Sequence, residues 1–314
     1  MPFSIKPFLD FSGGLNVDSS SDTLKDNELT VADNVDLDER GAVNKRGGTV
    51  RMNDVPYDEV PTQILEWVRA NGTTRLLSVL GAKLCAVNDG TFSLEELCAV
   101  AGQTISFVDF QDKFYFLDGN AYRVYDGETV ADVTPDEDAE NDLEPVKKCK
   151  FIVRHPMSYR FFAAGNADDQ SALYFSEPNA PGFFRETSKM YPATAEGPIT
   201  ALAVTGDAVI IFFKNGAYTW RGKDPMSDAA WTKIPIGQGT AAPRTIASTP
   251  SSLTFMGAGG LYALNPSIAG YNMVITPTEG MVNNLALNRV TGIINNIANP
   301  SACCAVYDIR RECY

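Results

Sequence analysis

The hydrophobic pattern of this chain repeats in one frame: an apolar strand, a tight turn rich in Gly and Asn, a second apolar strand and a polar breaker. Five copies have starts 37, 46, 49 and 44 residues apart, the third lengthened by a polar insertion. They occupy residues 75–90, 112–127, 158–178, 207–222 and 251–266. A strand-built unit that recurs about every 40–50 residues is typical of a β-propeller blade. We therefore predict an all-β fold, a β-propeller of four-stranded antiparallel blades over residues 56–314.

Pairs of neighbouring apolar runs in this region predict antiparallel hairpins. Residues 66–70 lead through Asn71 and Gly72 into residues 75–80, and an Asn-Gly pair between apolar runs is a strong hairpin signal. The same pattern predicts that residues 106–110 pair with 113–117, and residues 199–204 with 208–213. The helical candidate of note lies near residues 281–288.

Residues 1–55 differ from the rest because they hold short motifs separated by polar turns. Asp26 is a good N-cap residue, and it predicts the start of a short helix. Residues 34–38 and 42–46 flank a Glu-Arg-Gly turn and predict a strand–turn–strand unit. We expect an N-terminal arm or platform segment here, too small to bury a core of its own.

The C-terminal residues continue the strand pattern. Residues 301–308 predict the first strand of a further blade, and residues 310–314 the start of the next strand. A strand that stops in mid-pattern leaves an unpaired edge. We therefore expect the last blade to be incomplete, and a longer chain to supply at least one more blade.

Composition narrows the classes of function. The net charge of −13 argues against a protein whose main task is to grip nucleic acid, which requires clustered Lys and Arg. No run approaches 18 apolar residues, and the first 14 residues lack the apolar core of a signal peptide. We therefore expect a protein without a membrane segment that folds in a cytosol.

One segment is strongly acidic. Residues 126–144 hold nine acidic residues and no basic one, which predicts a solvated loop between blades. A calcium site is the alternative, although the run lacks the ligand spacing of an EF-hand loop.

The cysteines and the histidine argue against a metal or redox centre. No CxxC motif occurs, and one histidine is too few for a typical zinc site, so we expect free thiols that behave as small buried hydrophobic groups. The six cysteines are Cys85, Cys98, Cys149, Cys303, Cys304 and Cys313. His155 is the only histidine, and we expect it at the surface or at a strand end.

Catalytic signatures are few. The chain has no G-x-S-x-G elbow, and the glycine-rich residues 257–260 lack the lysine of a phosphate-binding loop and fit a hairpin turn. Glycoside hydrolysis would require a pair of carboxylates, but Asp is also favoured at turns for its bonds to the backbone. The candidates are Asp109, Asp112, Asp118, Glu177 and Asp207. We assign no catalytic, cofactor-binding or metal-binding residue.

Aromatic residues concentrate in the predicted strands, and most are expected to fill the space between packed blades. A sugar-binding platform would need several on the exposed face of one hairpin, and the sequence leaves both roles open. They are Phe114, Tyr115, Phe116, Tyr122, Tyr125, Phe161, Phe162, Tyr174, Phe175, Phe212, Phe213, Tyr218, Trp220 and Tyr262.

The N-terminal motifs resemble a known family. Residues 11–16 read FSGGLN, and Leu24, Asn27 and Glu28 follow. Residues 34–38 read NVDLD and residues 41–47 read GAVNKRG. This string resembles the N-terminus of propeller-bearing tail proteins of short-tailed bacteriophages, of the nozzle or tail-tubular-protein-B type. The strings RFFAAG and LYFSEP, from residues 160 and 173, are also similar to strands of such proteins.

The resemblance implies a non-enzymatic structural protein of the virion tail, assembled in the host cytoplasm. The family implies a ring oligomer, which we expect to be a hexamer, attached to a portal or adaptor and to other tail proteins. Double-stranded DNA would pass through the ring without sequence-specific binding, and an acidic lumen would repel its phosphates. No cofactor is implied.

Two other functions remain open at the level of sequence. A receptor- or glycan-binding propeller at the tail tip is the first alternative, and it should act as an isolated chain. A glycosidase is the second, and it should lose activity when one of the candidate carboxylates is replaced.

Overall fold

The computed structural model of this protein describes most of the chain. The described residues are 10–17, 19–20, 22–37, 41–53, 56–227, 232–233, 238–250, 252–258, 260–266, 273–277, 294 and 296–309. The helix predicted near residues 281–288 and the strand predicted at residues 310–314 therefore lie outside the described residues, as does Cys313.

The first strands are short and form two small sheets. β1 (Gly14–Leu15) pairs in parallel with β2 (Glu28–Leu29). β3 (Val35–Leu37) pairs antiparallel with β4 (Val43–Lys45), with Asp36 opposite Asn44. The strand–turn–strand unit predicted from the sequence is therefore confirmed.

The helix predicted to begin at Asp26 is wrong. Asp26 and Asn27 lie in a turn, and the chain extends into β2 from Glu28. The Glu28 carboxylate accepts hydrogen bonds from the Lys25 backbone N–H at 3.2 Å and from Asn16 Nδ2 at 2.9 Å. Side-chain bonds to the backbone and the pairing of β2 with β1 therefore override the local N-cap signal.

The remaining described strands form five four-stranded sheets, each with its strands in chain order and antiparallel. Sheet I contains β5 (Pro61–Val68), β6 (Thr74–Leu80), β7 (Lys83–Val87) and β8 (Leu94–Ala99). Sheet II contains β9 (Ser106–Phe110), β10 (Lys113–Leu117), β11 (Tyr122–Tyr125) and β12 (Val130–Asp132). Sheet III contains β13 (Phe151–Arg154), β14 (Phe161–Ala164), β15 (Leu173–Phe175) and β16 (Lys189–Met190).

The last two sheets follow the same order. Sheet IV contains β17 (Ile199–Thr205), β18 (Ala208–Phe213), β19 (Ala217–Trp220) and β20 (Thr232–Lys233). Sheet V contains β21 (Ala247–Ser248), β22 (Leu253–Gly257), β23 (Gly260–Pro266) and β24 (Met273–Pro277). In every sheet the two middle strands coincide with one of the five sequence frames, so the repeat correctly located the central hairpins.

Described helical structure is short. It includes α1 (Glu144–Lys147) and 3-10 turns at Thr194–Glu196, Pro243–Thr245 and Pro300–Ala302. The all-β prediction is therefore confirmed. No helix among the described residues is long and apolar enough to cross a membrane.

Contacts divide the chain into two compact units. One unit holds Val50–Lys233, which includes sheets I to IV. The other holds Met1–Thr49 together with Ile234–Tyr314, which includes the two N-terminal sheets and sheet V.

Sheets I to IV pack in sequence order, as blades of a propeller do. Three separate apolar cores lie between consecutive sheets: Trp67 and Phe114 belong to the core of sheets I and II, Phe161 to that of II and III, and Phe175 and Trp220 to that of III and IV. The first strands follow the same order, since β13 lies beside both β9 and β17. This successive packing of small meander sheets is propeller-like.

The alternation of side chains along a strand explains the continuous apolar runs. In β10, Phe114 and Phe116 face the core shared with sheet I, whereas Tyr115 and Leu117 face the core shared with sheet III. Successive side chains of a strand point to opposite faces, so a sheet covered on both sides needs apolar residues at every position. The frames read as unbroken apolar strands for this reason.

The strand predicted at residues 301–308 is wrong. The segment begins in the 3-10 turn Pro300–Ala302, and residues 303–307 have no regular secondary structure. The Ala305 backbone N–H donates a hydrogen bond to the carbonyl of Arg244 at 3.1 Å. A run of apolar residues alone did not make a strand here, because β propensity depends on the neighbours that a segment finds.

Candidate functional site

The N-terminal motifs that carried the resemblance meet in one hydrogen-bonded module. Asn16 is buried, and its Nδ2 donates to Glu28 Oε2 at 2.9 Å and to Ser19 Oγ at 3.0 Å. The Gly13 backbone N–H donates to the carbonyl of Asn27 at 2.9 Å. The side chains of the FSGGLN and LKDNE strings therefore bond to one another across a distance of 12 residues in the chain.

The two glycines of FSGGLN are required for different structural reasons. A Cβ on Gly13 would lie 2.5 Å from the Asn27 carbonyl oxygen and 2.7 Å from Glu28 Cγ, closer than real Cβ atoms approach. Gly14 has a φ of 69°, in the left-handed region that favours glycine. The first glycine permits close packing and the second permits the turn.

A second junction joins the hairpin of β3 and β4 to the same module. The Phe11 backbone N–H donates to the Gly41 carbonyl at 2.9 Å, and the Arg46 N–H donates to the Asn34 carbonyl at 3.0 Å. Gly41 has a φ of 80°, and a Cβ there would collide with the Asp10 side chain. The GAVNKRG string therefore starts at a position that only glycine fits without strain.

Every residue from 42 to 52 is exposed, and we call this segment the basic arm. It contains Lys45, Arg46 and Arg51 and no acidic residue. Its valines and methionine are also exposed, Val50 to 87% and Met52 to 66%. A stretch of exposed cationic and apolar side chains is a candidate contact surface.

A polar contact joins sheets I and II where the first strand of sheet I ends. Arg69 follows β5, and its Nη2 donates to Asp112 Oδ2 at 2.8 Å. The Ala70 backbone N–H donates to Asp112 Oδ1, also at 2.8 Å. The hydrogen bond from Arg69 lowers the pKa of the Asp112 carboxyl, and it raises that of the Arg69 guanidinium. Asp112 therefore anchors the turn between β9 and β10 to the preceding sheet.

The junctions of sheets II with III and of III with IV also have a contact where a first strand ends. The groups that make these two contacts differ. Arg154, the last residue of β13, lies with its guanidinium 4.8 Å from the centre of the Phe110 ring at the end of β9. His155 Nε2 lies 2.7 Å from the carbonyl oxygen of Asp207, in the turn between β17 and β18. The first strands of sheets I, II and III thus each end at a contact with a neighbouring sheet.

His155 is buried at a strand end rather than exposed. Its Nδ1 accepts the Ser158 backbone N–H at 3.1 Å, which places the ring proton on Nε2 for donation to Asp207. Burial lowers the pKa of the imidazole, and the ring packs at 5.2 Å from that of Trp220. The alternative of a surface histidine is wrong, because the turn that follows β13 folds the ring into the junction of sheets III and IV.

Four of the five candidate carboxylates are bonded to turns or to arginines. Asp112 and Asp118 lie at opposite ends of β10. Asp118 is buried, and its Oδ1 accepts the backbone N–H of Ala121 at 2.7 Å. Asp207 Oδ1 accepts from Arg221 Nε at 2.8 Å.

Of the two remaining candidates, Glu177 follows β15 of sheet III and Asp109 lies in β9 of sheet II. Glu177 Oε1 accepts from Arg185 Nε at 2.7 Å, and its Oε2 accepts from Arg160 Nη1 at 3.2 Å. Asp109 is an exposed residue of β9. Turn formation and ion pairing account for four of the five carboxylates. Turn formation was the alternative to catalysis that the sequence offered for the aspartates at turns.

The acidic segment 126–144 packs onto a loop of sheet III. Asn141 fixes it, because its Nδ2 donates to the carbonyl of Gly182 at 2.8 Å and to that of Asp136 at 3.0 Å. Residues 134–140 are exposed. Among the described residues, no three His, Cys, Asp or Glu side chains are arranged to hold a metal ion.

The described cysteines are free thiols of three kinds. Cys85 and Cys149 are buried, Cys98 and Cys303 are half-buried, and Cys304 is exposed. The expectation of buried thiols is therefore right for the first pair and wrong for Cys304. Burial raises the pKa of the Cys85 and Cys149 thiols, which keeps them protonated.

An open polar pocket of about 370 Å³ lies in sheet I beside its junction with sheet II. Arg69, Arg75, Asn88 and Glu95 are among the residues that line it. The Arg75 guanidinium lies 5.5 Å from the centre of the Tyr125 ring and donates to the Gly127 carbonyl at 2.6 Å. The pocket is lined by two arginines and by two carboxylates, those of Asp89 and Glu95. Because these charges balance, the pocket suits a neutral polar ligand better than an anion.

Most aromatic side chains of the strands are buried between sheets, as expected. Phe114, Phe161, Phe162 and Trp220 are fully buried in the three cores. Sequence reasoning did not identify Arg69 and Arg154 as contacts between sheets. The frame positions of two aspartates were a usable signal for such contacts. Asp112 and Asp207 both hold the first position of their frames, and both contact the preceding sheet.

Comparison with known proteins finds similarity among solved structures. No protein-family model matches the sequence, and no curated protein matches it. The extracellular domain of a hybrid two-component system from B. thetaiotaomicron is 14% identical with a TM-score of 0.46, over 72% of this chain and 28% of that one. PorZ, a surface component of the type-IX secretion system of Porphyromonas gingivalis, is 12% identical with a TM-score of 0.44, over 69% of this chain and 28% of that one.

A catalytically inactive virginiamycin B lyase from Staphylococcus aureus, solved with quinupristin, is 10% identical with a TM-score of 0.48. The match covers 80% of this chain and 87% of the lyase. This chain spans only 28% of the length of each of the first two proteins. Similarity at this level indicates nothing about function.

Proposed function

We propose that this protein is a non-enzymatic structural protein of a bacteriophage virion, a tail nozzle or hub component that forms a ring around the channel through which DNA leaves. The observation that carries the proposal is the convergence of the N-terminal motifs. FSGGLN, LKDNE, NVDLD and GAVNKRG together resemble the N-terminus of such tail proteins. Hydrogen bonds between Asn16 and Glu28 and between Phe11 and Gly41 join three of these motifs into one module.

The chemistry of the described residues supports a structural role. Four candidate carboxylates and the single histidine serve turns, ion pairs and sheet junctions, as their hydrogen bonds show for Asp112, Asp118, Glu177, Asp207 and His155. A general acid or base must be within reach of a substrate proton, which groups committed to such bonds do not readily offer.

The net charge fits a channel for DNA. A subunit of charge −13 gives a ring a strongly negative field, which repels phosphates and lets a duplex slide without sequence-specific contacts. A closed ring requires a heterologous contact that repeats by rotation. We propose a hexamer that attaches to a portal or adaptor and to other tail proteins.

The proposal is tested on particles and on the isolated chain. We expect mass spectrometry to find the protein in purified virions of the phage that encodes it, and cryo-electron microscopy to show it as a ring on the tail axis. We expect native mass spectrometry of the full chain to show the mass of six subunits. Absence of the protein from virions would overturn the proposal.

A second candidate is a receptor- or glycan-binding propeller at the tail tip, and the pocket between Arg69 and Glu95 favours it. Arginine, amide and carboxylate groups in one open pocket can bond to sugar hydroxyls. If this function is correct, the isolated chain should bind host-surface polysaccharide, and Glu95→Ala should weaken binding at least ten-fold. Saccharide binding that is unchanged in Glu95→Ala would exclude this pocket.

A glycosidase remains the third candidate. Replacing Glu177 or Asp207 by the matching amide should abolish hydrolysis if either carboxylate is catalytic. We expect no hydrolysis of host polysaccharide by the unmodified chain, as measured by release of reducing ends.

A further inference from the structure

The basic arm differs in charge from the rest of the chain. Residues 42–52 carry three positive charges and no negative one. The whole chain carries −13, so the remainder without these three positive charges carries −16. All residues of the arm are exposed in a single copy. A positive segment on a negative protein is attracted to the surface of another copy.

The hairpin at the start of the arm cannot stabilise itself by burial. All three residues of β4 (Val43–Lys45) are exposed, and its sheet has two strands within the described part of the chain. A two-stranded sheet is marginally stable in water unless one face packs against something else. Val50 and Met52 extend this uncovered apolar surface. A partner surface would therefore remove apolar area from water and neutralise charge together.

The acidic segment offers a surface of opposite charge and fixed shape. Asp136, Glu137 and Asp138 are exposed and have no ion pair with any described residue. The Asn141 amide and a backbone bond from Asp136 to the Gly182 carbonyl hold this part of the segment against sheet III. These three carboxylates are presented on a braced loop, and we call them the acidic surface.

We propose that the basic arm of one copy binds the acidic surface of a second copy of this chain, and that this contact links neighbouring subunits. The inference rests on the proposed ring and deepens it by naming the contacting segments. Three cationic side chains match three carboxylates, and both surfaces are exposed within one copy. A contact between two different surfaces is heterologous, which is the kind of contact that closes a ring.

The test uses two charge-reversed forms of the full chain. The first replaces the arm: Lys45→Glu, Arg46→Glu and Arg51→Glu. The second replaces the acidic surface: Asp136→Lys, Glu137→Lys and Asp138→Lys. We expect each form alone to assemble with a dissociation constant at least ten-fold higher, measured by analytical ultracentrifugation. We expect an equimolar mixture to recover assembly, because each negative arm then meets a positive surface and each positive arm a negative one.

The mixture separates contact between copies from contact within one copy. An arm that bound its own acidic surface would not regain a partner on mixing, so failure of the mixture to recover would overturn the proposal. Combining all six substitutions in one chain should also restore assembly. Raising the salt concentration from about 0.1 M to about 1 M should weaken assembly of the unmodified chain, because the Debye length falls from about 10 Å to about 3 Å.

Matched controls guard against general effects of charge and folding. Lys113→Glu, Lys150→Glu and Lys189→Glu change the net charge by the same amount at exposed positions elsewhere, and should leave the dissociation constant unchanged. Circular dichroism should show unaltered strand content for every form. If the arm form is misfolded, Lys45→Gln, Arg46→Gln and Arg51→Gln replace it, with a smaller expected weakening.

The outcomes distinguish this contact from the ring itself. A ring that forms normally in the arm-reversed chain would overturn the contact and leave the ring intact. An unmodified chain that stays monomeric and is absent from virions would overturn both.

Discussion

His155 Nε2 donates a hydrogen bond to the backbone carbonyl of Asp207 at 2.7 Å, and this bond joins sheet III to sheet IV. The ring is fully buried and neutral, with its Nδ1 accepting the Ser158 N–H. A functional histidine would need a substrate or a proton path, whereas this one is committed on both nitrogens. His155 therefore has a structural role at the junction of sheets III and IV, and its contribution to the free energy of unfolding depends on pH.

The first prediction concerns that pH dependence. Burial lowers the pKa of His155 in the folded protein, whereas the unfolded chain takes up the proton near the ordinary value of about 6.5. The stabilisation is thus complete above pH of about 6.5 and is lost as pH falls below it, because protons then bind preferentially to the unfolded state. Urea denaturation at pH 8 and pH 5.5 should show a larger loss for the unmodified chain than for His155→Gln. Equal losses would contradict the prediction, and His155 is the only histidine that could contribute.

The second prediction concerns the core between sheets II and III. Phe161 is fully buried, and its ring meets that of Phe110 edge-on at 5.3 Å and lies 6.2 Å from that of Tyr115. Phe161→Ala should lower the free energy of unfolding by about 3–5 kcal/mol, because it removes buried apolar area and leaves a cavity. Val60→Ala, at a side chain 81% exposed, should change it by less than about 0.5 kcal/mol. Denaturant titration of both variants measures the difference.

The third prediction tests the N-terminal module with two glycines. Gly13→Ala should destabilise the module by about 1–3 kcal/mol, because the added Cβ would meet the Asn27 carbonyl at 2.5 Å. Gly48→Ala is the control, since nothing lies within 4 Å of a Cβ there. Hydrogen exchange of residues 10–29 should accelerate in the first variant only. Substitutions suit this test better than removal of residues 1–49, which share a compact unit with residues 234–314.

The same pair of variants bears on the proposed function. If the module makes the contacts of a tail protein, Gly13→Ala should enter virions at reduced stoichiometry while Gly48→Ala enters normally. Quantitative mass spectrometry of purified particles measures both. Normal incorporation of Gly13→Ala, with its module shown to be disrupted, would count against a role of this segment in assembly.

The fourth prediction concerns the thiols. Alkylation in denaturant without reductant should modify all six cysteines, as expected for a protein assembled in a cytosol. In the native protein Cys304 should react first, whereas Cys85 and Cys149 should react only after local opening, because burial raises their pKa and blocks access. Peptide mapping over time gives the order, and a defined disulfide would contradict the proposed assembly in a cytosol.

Particular elements show how far local sequence can be trusted here. The hairpin of β3 and β4 followed from its own pattern, because its turn residues and alternating strands are local signals. The helix predicted at Asp26 was wrong, because the pairing of β2 with β1 outweighed a local N-cap preference. The strand predicted at residues 301–308 was also wrong, because the segment begins in a 3-10 turn and an apolar run alone does not make a strand. The residues near position 285 lie outside the described part, so the helix predicted there stays a prediction.

The sequence by itself determined the repeat, the central hairpins and the all-β class, because strand periodicity and turn chemistry depend on residues close in the chain. Only the tertiary structure decided that His155 is buried at a sheet junction and that Asp112 binds Arg69. It also decided that the N-terminal strings form one module while the arm beside them stays exposed. These outcomes depend on which groups from distant segments meet and exclude water, and no local preference encodes that.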